Sequence, residues 1–235
     1  MYLYASRADA NRGVQTGGSG FFFGIPMNEY SSHIYAVSNW HVVQSHPVIR
    51  VNTHYGDSLV LELRTSDWFR HPDGETDLAV APVGHPFWAD LNVLLLGRET
   101  LLSPEIISRF KIGVGDDLFV VGRFIDRDGV QRNQPTVRFG MIAQLPIPHQ
   151  PIRTEVGYQD AFLAEIRSVS GFSGSPIFAL LPPHRDTSLS REERLKAFSD
   201  LDDNGLQRNR TVLMGIDCGH MQYPEPDAVF AESAR

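Results

Sequence analysis

Short runs of strand-forming residues recur along the whole chain and limit the folds that it can adopt. Each run is about four to eight residues long and rich in apolar and β-branched side chains, and most end near Gly, Pro, Asn or Asp. Few stretches show the spacing of an amphipathic helix, so the pattern favours an all-β fold, either a barrel or a sandwich. The predicted strands cover residues 21–25, 33–37, 48–51, 59–63, 78–83, 117–122, 136–143, 161–167, 176–181 and 212–218.

Composition limits the partners and the location that we expect. At 235 residues the chain is long enough for one large domain or for two half-sized domains that share an interface. Lys plus Arg total 21 against 28 for Asp plus Glu, a net charge of −7, so neither nucleic acid nor an anionic membrane is an expected partner. Cys218 is the only cysteine, no apolar run approaches the roughly 18–20 residues of a membrane span, and residues 1–9 do not read as a secretion signal. We therefore expect a reducing, cytoplasmic setting.

Two segments depart from the strand pattern. Residues 91–113 hold Ser-Pro-Glu followed by an apolar-periodic stretch, which predicts a short helix or a connector. Residues 184–210 are polar, and Ser190 with Glu193 three positions later forms a capping-box pattern. We predict a helical insertion on the surface there, which is either a tolerated solvated loop or a lid that gates substrate.

The sequence Gly-Phe-Ser-Gly-Ser-Pro at 171–176 is a candidate nucleophile turn. A serine hydroxyl becomes a good nucleophile only when a base takes its proton and hydrogen-bond donors await the developing oxyanion. Gly171 and Gly174 permit a sharp turn that can aim the N–H groups of Gly171 and Ser173 at one point. A Ser/Gly-rich turn between two strands would use the same residues, so the motif alone leaves both interpretations open.

A histidine and an aspartate precede Ser173 in the chain. His41 follows the predicted strand that ends near residue 37, and Asp77 opens a strongly apolar strand after a turn-rich stretch at 71–75. His, Asp and Ser are the three residue types that together activate a hydroxyl at neutral pH. Taken singly, His41 could be an exposed or structural histidine and Asp77 a turn residue, with Asp73 as the nearest competitor.

These residues lie in motifs that resemble those of the chymotrypsin/trypsin-like serine protease family, particularly its disulfide-free bacterial trypsin-like members. The resemblance covers about residues 15–220, and its motifs occur in the family's order. They are Gly-Ser-Gly-Phe at 18–21, Val-Ser-Asn-Trp-His-Val-Val at 37–43, Asp-Leu-Ala-Val at 77–80, Gly-Phe-Ser-Gly-Ser-Pro at 171–176 and Leu-Met-Gly-Ile at 213–216.

The resemblance implies a fold of two six-stranded antiparallel β-barrels. The N-terminal barrel would span 1–98 and carry His41 and Asp77, a connector would span 99–112, and the C-terminal barrel would span 113–235 and carry Ser173. The helical surface insertion at 184–210 would then belong to the second barrel.

The same resemblance implies roles for the site residues. Ser173 would attack the scissile carbonyl, His41 would act as general base and then general acid, and Asp77 would orient the imidazole. The N–H groups of Gly171 and Ser173 would form the oxyanion hole. No metal or organic cofactor is expected, the partner would be a protein or peptide substrate, and a regulatory protein partner is a further expectation.

Three positions depart from the family's pattern. Phe172 stands where secreted relatives carry an Asp that pairs with a newly cut N-terminus, so that form of activation is not expected. Ser175 replaces a customary glycine, and Trp40 replaces a small residue before the histidine.

Substrate preference is predicted from three residues. Arg167 lies six positions before Ser173, near the base of the family's specificity pocket, where an arginine would favour an acidic side chain. Alternatively Arg167 points to solvent from a strand end. Gly219 and His220 would lie at the pocket entrance, although His220 is equally consistent with a loop histidine.

Two other functions remain open on the sequence. One is a catalytically silent binding or scaffold module that keeps the protease fold. The unusual residues Trp40 and Phe172 favour this alternative. The other is an esterase that acts on small acyl substrates through the same His, Asp and Ser.

Overall fold

Strands dominate the structure and confirm the prediction of a mostly β chain. The structure, a computed structural model, describes residues 1–28, 31–84, 88–124, 129–147, 150–154, 157–166, 171–199 and 210–219. The strands are β1 (Tyr2–Tyr4), β2 (Thr16–Ser19), β3 (Phe21–Asn28), β4 (Ser31–Ser38), β5 (Val48–Asn52), β6 (Ser58–Leu61), β7 (Phe69–Arg70), β8 (Ala79–Pro82), β9 (Leu95–Leu96), β10 (Asp117–Gly122), β11 (Thr136–Gln144), β12 (Ile152–Thr154), β13 (Gly157–Gln159), β14 (Leu163–Ile166), β15 (Pro176–Leu181) and β16 (Arg210–Ile216). The helices are α1 (Arg7–Arg12), α2 (Trp40–Val43), α3 (Pro104–Phe110) and α4 (Arg191–Ser199).

Each half of the chain builds its own sheets. Strands β1 to β9 form a four-stranded sheet in the order β2-β1-β5-β6 and a five-stranded sheet in the order β7-β8-β4-β3-β9. Strands β10, β11, β14, β15 and β16 form a second five-stranded sheet, and β12 pairs with β13 alone. We call the residues of β1 to β9 the N-terminal half and those of β10 to β16 the C-terminal half.

Apolar clusters fill the interior of both halves, and a third, smaller one in the N-terminal half holds Tyr2, Tyr4, Ala10 and Val48. In the N-terminal half Leu3, Phe22, Ile49 and Trp68 are buried in one cluster. In the C-terminal half the inward-facing residues of β10, β11, β15 and β16 pack with Phe110 of α3. The alternation of apolar and polar residues along these strands puts one face of each sheet on a core, as a period of two requires.

The ladders differ from the expected closed barrels. Within the described residues the sheets run as open ladders of four, five, five and two strands, and none is joined edge to edge into a six-stranded barrel. The other sequence-based elements are present: α3 lies in the predicted connector, and α4 lies in the predicted insertion. At the start of α4 the Ser190 N–H donates to Glu193 at 2.8 Å and the Glu193 N–H to Ser190 Oγ at 3.2 Å, so the predicted capping box forms.

The segment before α4 is tied to α3 by an ion pair. Arg109 of α3 donates from Nε and Nη2 to the two carboxylate oxygens of Asp186, at 2.7 and 2.6 Å. A two-point guanidinium–carboxylate contact fixes the direction of both side chains. Across the described ranges no helix is both long enough and apolar enough to cross a bilayer.

A buried arginine joins the two halves. Arg50 in the middle of β5 has no exposed surface. Its Nε donates to Asn133 Oδ1 at 2.7 Å, and its Nη atoms donate to the carbonyl oxygens of Ala10, Val130 and Gly129 at 3.0, 2.9 and 2.8 Å. Three of these four acceptors belong to residues 129–133, so one side chain holds the chain entering β11 against the N-terminal half.

We expect Arg50→Met to destabilise the protein strongly. The substitution keeps an unbranched side chain of similar length but removes the donors of four oxygens inside the protein, each worth about 1–3 kcal/mol when left unpaired. The predicted loss in the free energy of unfolding is more than about 3 kcal/mol, measured by urea denaturation. Arg7→Met is the matched control, because Arg7 contacts Glu62 at 3.3 Å on the surface and should show no measurable change. A loss for Arg50→Met as small as the control's would contradict this account.

Candidate active site

His41 lies where β4 leaves its sheet. β4 ends at Ser38, the extended Asn39 precedes a single turn of helix, and His41 is the second residue of that turn. The turn packs Val42 and Val43 into the N-terminal core and leaves about a third of the His41 side chain exposed. The imidazole is thus partly open to solvent while the turn that carries it is anchored in the core.

Asp77 contacts His41 twice. Its Oδ2 lies 2.6 Å from His41 Nδ1, and its Oδ1 accepts the His41 backbone N–H at 3.0 Å. The Asp77 side chain is only 4% exposed. With a carboxylate on Nδ1, a neutral imidazole keeps its proton there and presents Nε2 as the acceptor. The two contacts together fix both the ring's position and its tautomer.

The structure separates Asp77 from its competitor Asp73. The carboxylate of Asp73 accepts hydrogen bonds from the N–H groups of Glu75 and Thr76, both at 2.9 Å, and from the Thr76 hydroxyl at 2.6 Å. His71 lies 3.0 Å from the same carboxylate. The hydrogen bonds from the Thr76 hydroxyl and from His71 hold the pKa of Asp73 well below its usual range. Asp73 therefore closes the turn in front of Asp77 and is turned away from His41.

Ser173 lies in a tight turn that leads directly into the start of β15. Gly171 and Gly174 adopt φ angles of +99° and +84°, which L side chains oppose. The Ser175 N–H donates to the Phe172 carbonyl at 2.8 Å, and the Gly174 N–H donates to the Asp217 carbonyl at 2.9 Å. Gly171 and Gly174 therefore permit the sharp backbone turn that the motif predicts.

The Ser173 turn is docked on the strand that leads to His41. The Ser19 N–H donates to the Ser173 carbonyl at 2.9 Å, and Ser38 Oγ donates to the Ser19 carbonyl at 2.8 Å. Ser38 stands three positions before His41, so two hydrogen bonds connect the turn to the histidine's own strand. In the described ranges Ser173 Oγ makes no hydrogen bond to the imidazole; such contacts are often long in hydrolases without substrate and shorten when substrate binds.

Three backbone donors of the turn have no acceptor in the described part of the chain. They are the N–H groups of Gly171, Phe172 and Ser173, whereas those of Gly174 and Ser175 donate to carbonyl oxygens. An oxyanion hole requires unpaired N–H groups, and those of Gly171 and Ser173 are the two that the motif predicts for it.

The Phe172 side chain is buried and packs against the guanidinium group of Arg138. That side chain is 1% exposed, and the Arg138 guanidinium carbon lies 4.7 Å from the centre of its ring. The same carbon lies 4.8 Å from the ring of Phe124, so Arg138 sits against both rings. Packing of the Phe172 side chain thus anchors the turn.

The other departures are also accommodated. Trp40 packs on the N-terminal core and faces Arg70, whose guanidinium carbon is 5.9 Å from its ring. Ser175 is fully buried, and a Cβ on Gly122 would overlap its Oγ. Gly122 therefore makes the room that Ser175 needs, a pairing that the sequence motif does not reveal.

The predicted specificity residues are only partly covered. Arg167 and His220 lie outside the described residues. Gly219 is exposed with a φ of +143°, and its N–H donates to Asp217 Oδ1 at 3.1 Å. The neighbouring Cys218 is half-buried; burial, with the nearby charges of Asp217 and Asp77, raises the pKa of its thiol to about 11.

Two residues outside the predicted set hold the main chain of Asp77. Asn39 Nδ2 donates to the Asp77 carbonyl at 2.8 Å, and the Gln159 side chain accepts the Asp77 N–H at 3.2 Å. The sequence offers a signal for Asn39, because a polar residue between an apolar strand and His41 needs a hydrogen-bond partner if it is buried. Gln159 has none, since it comes from a different half of the chain.

We expect Gly174→Ala to destabilise the protein more than Gly56→Ala. Both glycines have a positive φ, so each substitution costs roughly 1–2 kcal/mol in backbone conformation. A Cβ on Gly174 would also overlap the Ser19 carbonyl and lie 2.5 Å from Ser38 Oγ, whereas a Cβ on Gly56 meets nothing within 4 Å. The predicted loss is more than about 3 kcal/mol for Gly174→Ala, by urea denaturation. Equal losses for the two variants would contradict the docking of the turn on Ser19.

We also expect Cys218 to resist alkylation in the folded protein. With a thiol pKa of about 11, only about one molecule in a thousand carries the thiolate at pH 8. Iodoacetamide at pH 8 should therefore modify Cys218 at least about tenfold more slowly in native protein than in urea, as followed by intact mass. Equal rates in the two states would show that the thiol is not shielded.

Comparison with solved structures finds weak similarity to proteases. No family model matches the sequence, and no curated protein sequence matches it. Similar solved structures include the HtrA-type protease AlgW with decapeptide, 22% identical over 69% of this chain and 39% of that chain, with a TM-score of 0.40. A variant of the same protease with decapeptide is 18% identical over 88% of this chain and 44% of that chain, with a TM-score of 0.45. Deg5 is 17% identical over 66% of this chain and 71% of that chain, with a TM-score of 0.40. This chain spans less than half the length of the AlgW structures, and the function proposed below rests on the geometry of the site.

Proposed function

We propose that this chain is a trypsin-like serine endopeptidase that hydrolyses peptide bonds through an acyl-enzyme intermediate. The observation that carries the proposal is the double contact of Asp77 with the ring and the backbone of His41. A carboxylate buried against Nδ1, next to a glycine-flanked serine turn with unused N–H groups, is the arrangement that hydroxyl activation needs. A serine turn of purely structural use has no need of that histidine and carboxylate.

The proposed reaction assigns a role to each of these residues. Ser173 Oγ attacks the scissile carbonyl carbon while its proton passes to His41 Nε2, and Asp77 stabilises the imidazolium that forms. The N–H groups of Gly171 and Ser173 bind the oxyanion; losing one such donor typically costs on the order of 3 kcal/mol of transition-state stabilisation. His41 then gives the proton to the leaving amine, and the acyl group stays on Ser173.

Water completes the cycle by the same route. His41 takes a proton from a water molecule, the hydroxide attacks the acyl carbon, and the bond to Ser173 Oγ breaks as the proton returns to that oxygen. Every proton and bond is accounted for by the protein, substrate and water. The proposed reaction therefore uses no metal or organic cofactor.

Finer features belong to the same proposal. They are an N-terminal domain over 1–98 and a C-terminal domain over 113–235 joined by a connector over 99–112, a specificity pocket involving Arg167, Gly219 and His220 that favours acidic residues, and a cytoplasmic location. The single cysteine supports the location, and the −7 net charge supports a peptide rather than a nucleic acid as partner. Regulation would come either from the insertion at 184–210 or from a protein partner.

We expect a fluorophosphonate probe to label the wild-type protein at Ser173. Labelling should vanish in Ser173→Ala and fall at least about a hundredfold in rate in His41→Ala, because the hydroxyl then has no base. Peptide mapping by mass spectrometry gives the labelled residue. Ser175→Ala is the matched control from the same turn: its Oγ is buried, so labelling should continue.

The alternatives give different outcomes of the same experiment. Folded wild-type protein that takes no label would contradict the proposed enzyme and favour a silent binding module. Labelled protein that turns over small esters but no peptide in a library would favour the esterase. Enrichment of Asp or Glu at the cleavage site, lost in Arg167→Ala, would support the acidic preference.

A further inference from the structure

Gln159 reaches across the two halves to the main chain of Asp77. It is the last residue of β13, the second strand of the two-stranded hairpin β12–β13, and it pairs there with Ile152. Only 8% of its surface is exposed, although its neighbour Tyr158 is 63% exposed. The Gln159 side chain is therefore buried on a hairpin whose neighbouring side chain is exposed, and its hydrogen bonds explain this difference.

Both ends of the Gln159 amide are used on the segment before the aspartate. Its Oε1 accepts the Asp77 N–H at 3.2 Å, and its Nε2 donates to the Glu75 carbonyl at 2.7 Å. A primary amide offers a donor and an acceptor at a fixed separation, so it can bind two backbone groups two residues apart in one orientation. The pair of contacts sets the position of the peptide as well as its distance from the hairpin.

Other groups hold the rest of this segment, so Gln159 completes a set. The Asp73 carboxylate accepts the N–H groups of Glu75 and Thr76, and Asn39 donates to the Asp77 carbonyl. The Asp77 N–H is the next donor along the chain, and it is buried with its residue. Without Gln159 that N–H would lose its acceptor, which a buried donor rarely tolerates.

We propose that Gln159 is a positioning residue for the reaction: through its two hydrogen bonds it holds the Asp77 carboxylate in place against His41, and it makes the hairpin of β12 and β13 part of the active site. This inference rests on the proposed function. Gln159 acts through Asp77 and touches no reacting atom, so its loss should slow the chemical step and leave substrate binding unchanged.

The test compares variants at Gln159 in the full chain. Gln159→Met keeps the side chain's length and removes both hydrogen bonds, whereas Gln159→Glu keeps an acceptor for the Asp77 N–H and loses the donor to Glu75. We expect the maximal rate of fluorophosphonate labelling to fall at least about tenfold in Gln159→Met, with the probe concentration at half-saturation within about twofold of wild type. Gln159→Glu should also fall, because its second carboxylate oxygen faces the Glu75 carbonyl where the amide donated, although the bond to Asp77 survives. Tyr158→Ala, on the same strand with an exposed side chain, should label at the wild-type rate.

A proton resonance gives a readout that a purely structural role would not move. The His41 Nδ1 proton, in a short bond to Asp77, should appear at low field in wild-type protein and in Tyr158→Ala, and should be lost or shifted in Gln159→Met. Circular dichroism establishes that each variant is folded. If Gln159→Met does not fold, Gln159→Glu decides by the same two readouts.

The outcomes separate this inference from the function on which it rests. Wild-type protein that takes no label contradicts the proposed function, while the resonance still tests the hold on Asp77. Labelled wild type together with wild-type rate and resonance in both Gln159 variants overturns the inference alone. An equal loss in Tyr158→Ala also overturns it, because the effect would then belong to the hairpin in general.

Discussion

The buried guanidinium of Arg50 is the interaction on which the arrangement of the two halves depends. A charge with no exposed surface is stable only if its donors are satisfied, and here three of four acceptors come from residues 129–133. Removing the C-terminal half would leave β5 with a charge in its core and too few partners. The seam between the halves is therefore fixed in part by an electrostatic requirement.

Asp77 shows how several distant segments set one carboxylate. Its side chain faces His41, its carbonyl is bound by Asn39, and its N–H is bound by Gln159. These partners come from the end of β4 and from a hairpin beyond the middle of the chain. A short hydrogen bond of this kind orients an imidazole only when neither partner can drift, and the backbone bonds provide that restraint.

The sequence predicts the local parts of this structure and misses the long-range ones. The strands, the turn of Ser173 and the capping box of Ser190 follow from patterns that lie within a few residues. Asp77 could be preferred over Asp73 because Asp73 stands inside a turn, where carboxylates bind their own backbone. Gln159 carries no such pattern, and the only trace of Arg50's role is a charge in an otherwise apolar strand. The closed barrels were implied by resemblance alone, and the described ladders are open.

The hydrogen bond from Ser19 to the Ser173 carbonyl gives the molecule a mechanical property. Ser19 belongs to the N-terminal half and Ser173 to the C-terminal half, and the bond between their backbones crosses the seam. A separation of the two halves at this point would lengthen this bond and remove one of the contacts that hold the Ser173 backbone. The position of the serine turn therefore depends on the N-terminal half as well as on the sheet that the turn enters.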